Sequence, residues 1–119
     1  MTASENLHAL NLRMMTQESA GNVEYFEELL APVFAMRRGD LSTILDRPTF
    51  LAGVVESPPR ATEDFEILLE TPSLAIVRST VAQVRDNEPG RFTNIRVFVR
   101  PSSMDEWKLL SWINEPAGV

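Results

Sequence analysis

The fold of this chain is decided by residues 64–115, which read DFEILLETPSLAIVRSTVAQVRDNEPGRFTNIRVFVRPSSMDEWKLLSWINE. The stretch contains four runs with strand-like composition, separated by short segments rich in Pro, Gly, Ser, Asp and Asn. The runs are Asp64–Thr71, Leu74–Arg85, Phe92–Arg100 and Trp107–Glu115. Because no separator is long enough to hold a crossover helix, consecutive runs pair antiparallel. The sequence therefore predicts a four-stranded meander.

Apolar residues at helical spacing predict helices before this meander. The first helix takes Ser4 as its N-cap, and its apolar side includes Leu7, Leu10 and Met14. The second helix is capped by Asn22 and ends before Pro32, because proline disfavours a helical conformation at the residue before it.

A third helix and two short strands are predicted between these helices and the meander. The strands are Val33–Arg37 and Thr43–Leu45, joined by a turn at residues 38–41. Asp46 caps the third helix, and Pro48 lies in its first turn, where a missing N–H is tolerated. Its buried side is predicted to consist of Phe50, Leu51, Val54 and Val55.

Alternation along the third run of the meander assigns the two faces of the sheet. Two sets of residues alternate there, Thr93, Ile95, Val97 and Val99 on one side and Asn94, Arg96, Phe98 and Arg100 on the other. The first set is the more apolar, so we expect the helices to cover it. The opposite face keeps some apolar residues, namely Leu68, Phe98, Leu110 and Trp112. A half-apolar outer face is typical of a surface buried in a partner subunit, which predicts a homodimer.

Composition limits the classes of function. The 119 residues suit one domain spanning 1–119, and the net charge of −6 disfavours a nucleic-acid partner, which needs clustered basic residues. The chain has no cysteine, so a disulfide, a thiolate zinc site and a cysteine nucleophile are excluded. Its beginning lacks the pattern of a signal peptide, and no apolar run is long enough to cross a bilayer. We expect a cytoplasmic protein without membrane association.

Three stretches carry a resemblance to a known family: Asn22–Leu30, Arg38–Leu51, and Ile95–Arg100 followed by Trp107–Trp112. In this order they resemble the second helix, the turn and third helix, and the last hairpin of the nuclear transport factor 2-like superfamily. Within it, the chain is most similar to bacterial SnoaL-like and ketosteroid-isomerase-like domains. The resemblance implies an α+β fold, a cone-shaped roll with three N-terminal helices packed on a curved antiparallel sheet. It also implies an apolar pocket at the open end and often a dimer formed through sheet faces.

The resemblance does not fix a reaction, because this superfamily carries isomerases, dehydratases, cyclases and binding modules. Residues 33–36 lack the acid of the isomerases, and His8 is the only histidine, whereas the dehydratases use more than one. The sequence predicts no catalytic residue, no metal and no cofactor. It favours binding of a small apolar or carboxylate-bearing molecule under the sheet. An enzyme acting on a small carbonyl compound (isomerase, dehydratase or cyclase) and a purely dimerising association module remain alternatives.

Six residues are predicted to frame the mouth of the cone around a ligand: Met14, Phe34, Met36, Arg96, Trp112 and Asn114. In this interpretation Arg96 holds an anion, Trp112 forms a flat wall, and Asn114 offers a donor and an acceptor. The alternative places Arg96 on the outer face, paired with Glu66 or Glu70 in a dimer contact. The choice depends on strand parity, which a single β-bulge reverses.

Overall fold

The computed structural model describes residues 6–37, 43–85 and 87–116, the side chain of Arg85 excepted. In these ranges the chain forms, in order, α1 (Leu7–Ser19), α2 (Val23–Leu29), β1 (Leu30–Arg37), β2 (Ile44–Asp46), α3 (Arg47–Ala52), β3 (Arg60–Glu70), β4 (Leu74–Arg85), β5 (Glu88–Val99) and β6 (Lys108–Pro116). None of the described helices has the length and apolar character needed to span a bilayer.

The strands form one sheet in the order β2-β1-β6-β5-β4-β3. Strands β3 to β6 pair antiparallel, which confirms the predicted meander. The β1–β6 pair is parallel, so the sheet is mixed where the sequence predicted an antiparallel one. A parallel pair requires a long crossover, and the chain from β1 to β6 supplies it through α3 and the meander. Three helices and this curved, open sheet form the predicted α+β cone.

Polar side chains cap the helices. Asn22 and Asp46 cap α2 and α3 as predicted, each accepting a hydrogen bond from the backbone N–H three residues on, at 3.2 and 3.0 Å. In α1 the cap is Asn6, whose Oδ1 accepts from the backbone N–H of His8 at 2.8 Å. Ser4, the cap predicted for α1, lies outside the described residues.

The third helix follows the prediction at its start and departs from it at its end. Pro48 lies in the first turn of α3, and the short strand before it is present as β2. Val55, predicted on the buried side of α3, is 64% exposed because the helix ends at Ala52. The turn predicted at residues 38–41 lies outside the described residues.

The helices cover the face of the sheet that the alternation had assigned to the outside. The more polar set is buried, with Asn94, Arg96 and Phe98 on β5 and Arg100 directly after it. Ile95 and Val97 lie on the opposite face and are only partly buried. Trp112, also expected outside, belongs to the core. The predicted parity was wrong because it treated Asn94 and Arg96 as surface residues, whereas both find polar partners inside the fold.

The core lies between the helices and this covered face. Phe50 of α3 is near its centre, with ring centroids 5.7 Å from Phe26, 5.2 Å from Phe34 and 5.7 Å from Trp112. Tilted and edge-on aromatic contacts of this kind are favourable. They hold α3 against β1 and β6.

Gly21 joins α1 to α2 where the chain closely approaches the segment after α3. Its φ is +70°, and a Cβ there would lie 2.6 Å from the backbone nitrogen of Glu56. An isolated bridge between Ala20 and Glu56 holds the two segments together, as does the hydrogen bond from Ser57 N–H to the Ser19 carbonyl at 3.0 Å. Neither segment can withdraw from an added methyl group without losing these contacts.

We therefore expect Gly21→Ala to lower the free energy of unfolding by at least about 2 kcal/mol, through left-handed strain and the backbone clash. Gly53→Ala is the matched control, because the nearest atom to its Cβ lies at an ordinary 3.5 Å. The control should change stability by less than about 1 kcal/mol. Urea denaturation followed by circular dichroism measures both. Equal stabilities for the two variants would contradict the proposed close approach.

Candidate functional site

Arg96 lies at the centre of the covered face and is the largest fully buried side chain among the described residues, at 1% exposure. On β5 it is opposite Val77 of β4 and Trp112 of β6. Its guanidinium carbon lies 4.2 Å from the centroid of the Trp112 ring. This cation–π contact fixes the guanidinium plane against a rigid aromatic surface.

Two buried asparagines complete this arrangement. Nη1 of Arg96 donates a hydrogen bond to Oδ1 of Asn11, which reaches it from α1. The indole Nε1 of Trp112 donates to Oδ1 of Asn94 at 2.8 Å. Both asparagines are buried, so they orient Arg96 and Trp112 inside the core.

Several polar atoms of this cluster have no hydrogen-bond partner within the described residues. They are Nε and Nη2 of Arg96, Nδ2 of Asn11 and Oδ1 of Asn114. Nε and Nη2 form one edge of the guanidinium, with two parallel N–H bonds, which is the edge that binds a carboxylate through two hydrogen bonds. Buried donors are nearly always satisfied in proteins, so this open edge requires an explanation.

The charge of Arg96 is poorly compensated. Burial lowers the pKa of its guanidinium to about 10, while the nearby carboxylate of Glu18 acts in the opposite direction and the cation of Arg60 adds to the lowering. At neutral pH the side chain therefore stays protonated, as a buried cation.

A cleft of about 210 Å³ opens beside this cluster. Its walls include Met36, Phe50 and Asn114, and the segment 53–58 lies along one side. Glu18 and Arg60 also line it and form an ion pair, with Oε1 and Nη1 3.5 Å apart. Arg96 is not part of the wall itself. Met36 of the cleft wall pairs in register with Trp112, and the Trp112 ring is the one that contacts the Arg96 guanidinium.

The structure brings the six predicted ligand-binding residues to the covered side of the sheet. Five are buried in the core, and the sixth, Asn114, is partly exposed; the buried ones are Met14, Phe34, Met36, Arg96 and Trp112. Only Met36 and Asn114 reach the cleft. The alternative position of Arg96 on the outer face is wrong, and Glu66 pairs with Arg78 instead. Ligand binding by this set stays a prediction.

The site also contains residues that the sequence-based set did not include: Asn11, Glu18 and Arg60. Asn11 follows Leu7 by four residues and Glu18 follows Asn11 by seven, which places them on the buried side of α1. That spacing was a usable signal for both residues. Arg60 gave no such signal, because it reaches Glu18 only through the fold.

The other candidate catalytic, metal and ligand sites have less support. His8 is exposed and stacks on Phe65, with ring centroids 4.8 Å apart. In the described part of the chain, no group of three or more His, Asp or Glu residues is placed to hold a metal ion. A smaller cleft of about 130 Å³ lies near Trp107, where the charges of Arg13 and Lys108 are balanced by those of Glu28 and Glu106. The open edge of Arg96 therefore marks the stronger site.

Solved structures resemble this chain over nearly its whole length. An NTF2-like protein of unknown function in nutrient uptake from Rhodospirillum rubrum is 18% identical, with a TM-score of 0.75 over 96% of this chain and 100% of that one. An NTF2-like protein from Cytophaga hutchinsonii is 14% identical, with a TM-score of 0.76 over 95% and 100%. The CaMKII hub of S. rosetta is 16% identical, with a TM-score of 0.71 over 93% and 94%.

The chain therefore has the nuclear transport factor 2-like fold, as its sequence predicted. No family model and no curated protein matches the sequence. Sequence identities of this size establish the fold alone, and one fold carries many functions. The function has to be argued from the site.

Proposed function

We propose that this protein binds a small carboxylate and that the Nε–Nη2 edge of Arg96 is the anchor. The observation that carries the proposal is this unpartnered edge on a cation that is 1% exposed. A carboxylate supplies two oxygens at the spacing of the two N–H bonds, together with the missing negative charge. Binding would thus satisfy two buried donors and neutralise one buried cation.

The surroundings of Arg96 favour a ligand with a short apolar body. Trp112 is the flat wall on which the guanidinium lies, and Met36 and Phe50 offer apolar contacts along the cleft. Met14 and Phe34 belong to the same hydrophobic core as these residues. Asn114 lines the cleft and has an unpartnered Oδ1, which suits a hydroxyl or amine on the ligand.

Thermal denaturation with butyrate and benzoate tests this proposal, with butyramide and benzamide as neutral controls of the same shape. At an acid concentration tenfold above its Kd, binding adds about 1.4 kcal/mol of stability. For a domain of this size that raises Tm by about 5 °C. The amides should have little effect. Equal shifts for acids and amides, or no shift with either acid, would contradict the proposal.

We also propose, as a second function, that the chain associates with itself through the outer face of the sheet. Six apolar residues on four adjacent strands form this outer patch: Leu69, Ile76, Ile95, Val97, Val99 and Ile113. The nearby acids Glu63 and Glu66 are paired with Arg91 and Arg78, which limits charge repulsion between two copies. A contiguous apolar patch that no element of the described ranges covers favours a subunit interface.

The hub domain among the similar structures supports this second function by analogy of fold. Light scattering at micromolar concentration tests it. We expect a mass of twice the 13.4 kDa chain. A single-chain mass at that concentration would rule out a stable dimer.

A further inference from the structure

Three charged side chains of low exposure lie in or beside the cleft. Arg96 is 1% exposed, and the side chains of Arg60 and Glu18 are 18% and 16% exposed. Arg60 and Glu18 line the cleft, and their charges act on Arg96, one lowering and the other raising its pKa. The remaining charged group of the cleft wall, Glu56, is exposed and screened by water.

These groups leave the site with two positive charges and one negative charge. We propose that Glu18 makes this a site for monoanions, so that it accepts monocarboxylates and rejects dicarboxylates. The inference rests on the carboxylate site proposed above and adds the charge class of the ligand. Glu18 is a specificity-determining residue here and needs no contact with the ligand.

The physical reason is the energy of an unbalanced charge in a poorly solvated site. When one carboxylate binds Arg96, the net charge of the three side chains and the ligand becomes zero. A second carboxylate would add a negative charge beside Glu18, with no further cation among the described wall residues to receive it. Charges that are removed from water interact more strongly than surface charges, so the mismatch opposes binding.

The test compares butyrate with succinate, which share a four-carbon chain and differ by one carboxylate at pH 7.5. Affinities are measured by isothermal titration or by Tm shift for the wild type and for Glu18→Gln. We expect the wild type to bind butyrate about tenfold or more tightly than succinate, and Glu18→Gln to reduce this ratio by about tenfold. Glu24→Gln is the matched control, because it removes an exposed carboxylate in the first turn of α2 that does not line the cleft. Its ratio should equal that of the wild type.

Arg60→Gln provides a second variant in case Glu18→Gln folds poorly. It lowers the sum of the three charges to zero, so butyrate affinity should fall about tenfold while circular dichroism stays unchanged. If the ratio of butyrate affinity to succinate affinity is similar in the wild type and Glu18→Gln, the monoanion inference is overturned, but the proposed carboxylate site is not. Unchanged butyrate affinity in Arg60→Gln would also overturn the monoanion inference. If neither acid binds the wild type, the proposed function fails and this inference fails with it.

Discussion

Replacing Arg96 by methionine and Asn11 by leucine together is expected to stabilise the ligand-free protein by about 2–4 kcal/mol. Burial lowers the pKa of Arg96 to about 10, well below the ordinary value of a guanidinium. At 1.36 kcal/mol per pKa unit, this shift corresponds to roughly 3 kcal/mol of unfavourable energy in the charged state. Methionine keeps an unbranched apolar stem, and leucine removes the asparagine that would otherwise lose its partner. A functional residue that destabilises its own fold is the expected signature of an anion-binding site.

The pH dependence of this gain follows from the direction of the pKa shift. Above about pH 10, folded Arg96 releases its proton while the guanidinium of the unfolded chain keeps it. The unfolded state then binds more protons, so the wild type becomes more stable relative to the double variant as pH rises. The difference in free energy of unfolding between the double variant and the wild type should be largest at neutral pH and should decrease above about pH 10. Urea denaturation followed by circular dichroism measures it at each pH. A double variant less stable than the wild type at pH 7 would show that the fold already compensates the cation.

Val97→Glu is expected to abolish self-association. Val97 lies within the outer patch, opposite Ile76 of β4, and its side chain is partly buried on the face away from the helices. In a symmetric dimer the substitution places two uncompensated carboxylates in one apolar interface. We expect the mass from light scattering to fall to that of one chain at all micromolar concentrations.

Val23→Glu is the matched control for this substitution. Val23 is exposed in the first turn of α2, on the helical side of the molecule, where an added acid suits the helix dipole. It should leave the dimer intact. If Val97→Glu remains dimeric while its circular dichroism is unchanged, the interface lies elsewhere. If both variants become monomeric, the loss reflects net charge and does not depend on the outer patch.

Much of the fold could be predicted from local signals. Turn residues between apolar runs predicted the meander, and Asn22, Asp46 and Pro48 marked two helix starts. The parallel β1–β6 pair could not be predicted in this way, because its strands are distant in sequence. The covered face of β5 was misassigned for a similar reason. Arg96 is buried because Asn11, 85 residues away, accepts its hydrogen bond, and no local pattern records that contact.

The candidate site also contains residues that local sequence signals predicted and residues that only distant contacts bring together. The sequence placed Arg96, Trp112 and Asn114 in one set because they lie in two adjacent strands of the last hairpin, and the structure brings them to one face. The ion pair of Glu18 with Arg60 joins α1 to the start of β3. It arises only when the helix packs across the sheet, so strand and helix periods alone could not reveal it.

We propose above that the Nε–Nη2 edge of Arg96 binds a carboxylate. The Nε–H group of this edge can be observed directly by ¹H–¹⁵N NMR. Its resonance is assigned by its absence from the double variant. We predict that butyrate shifts this resonance downfield and slows its exchange with water, whereas butyramide leaves both unchanged. A resonance that stays the same at a saturating butyrate concentration would contradict the claim.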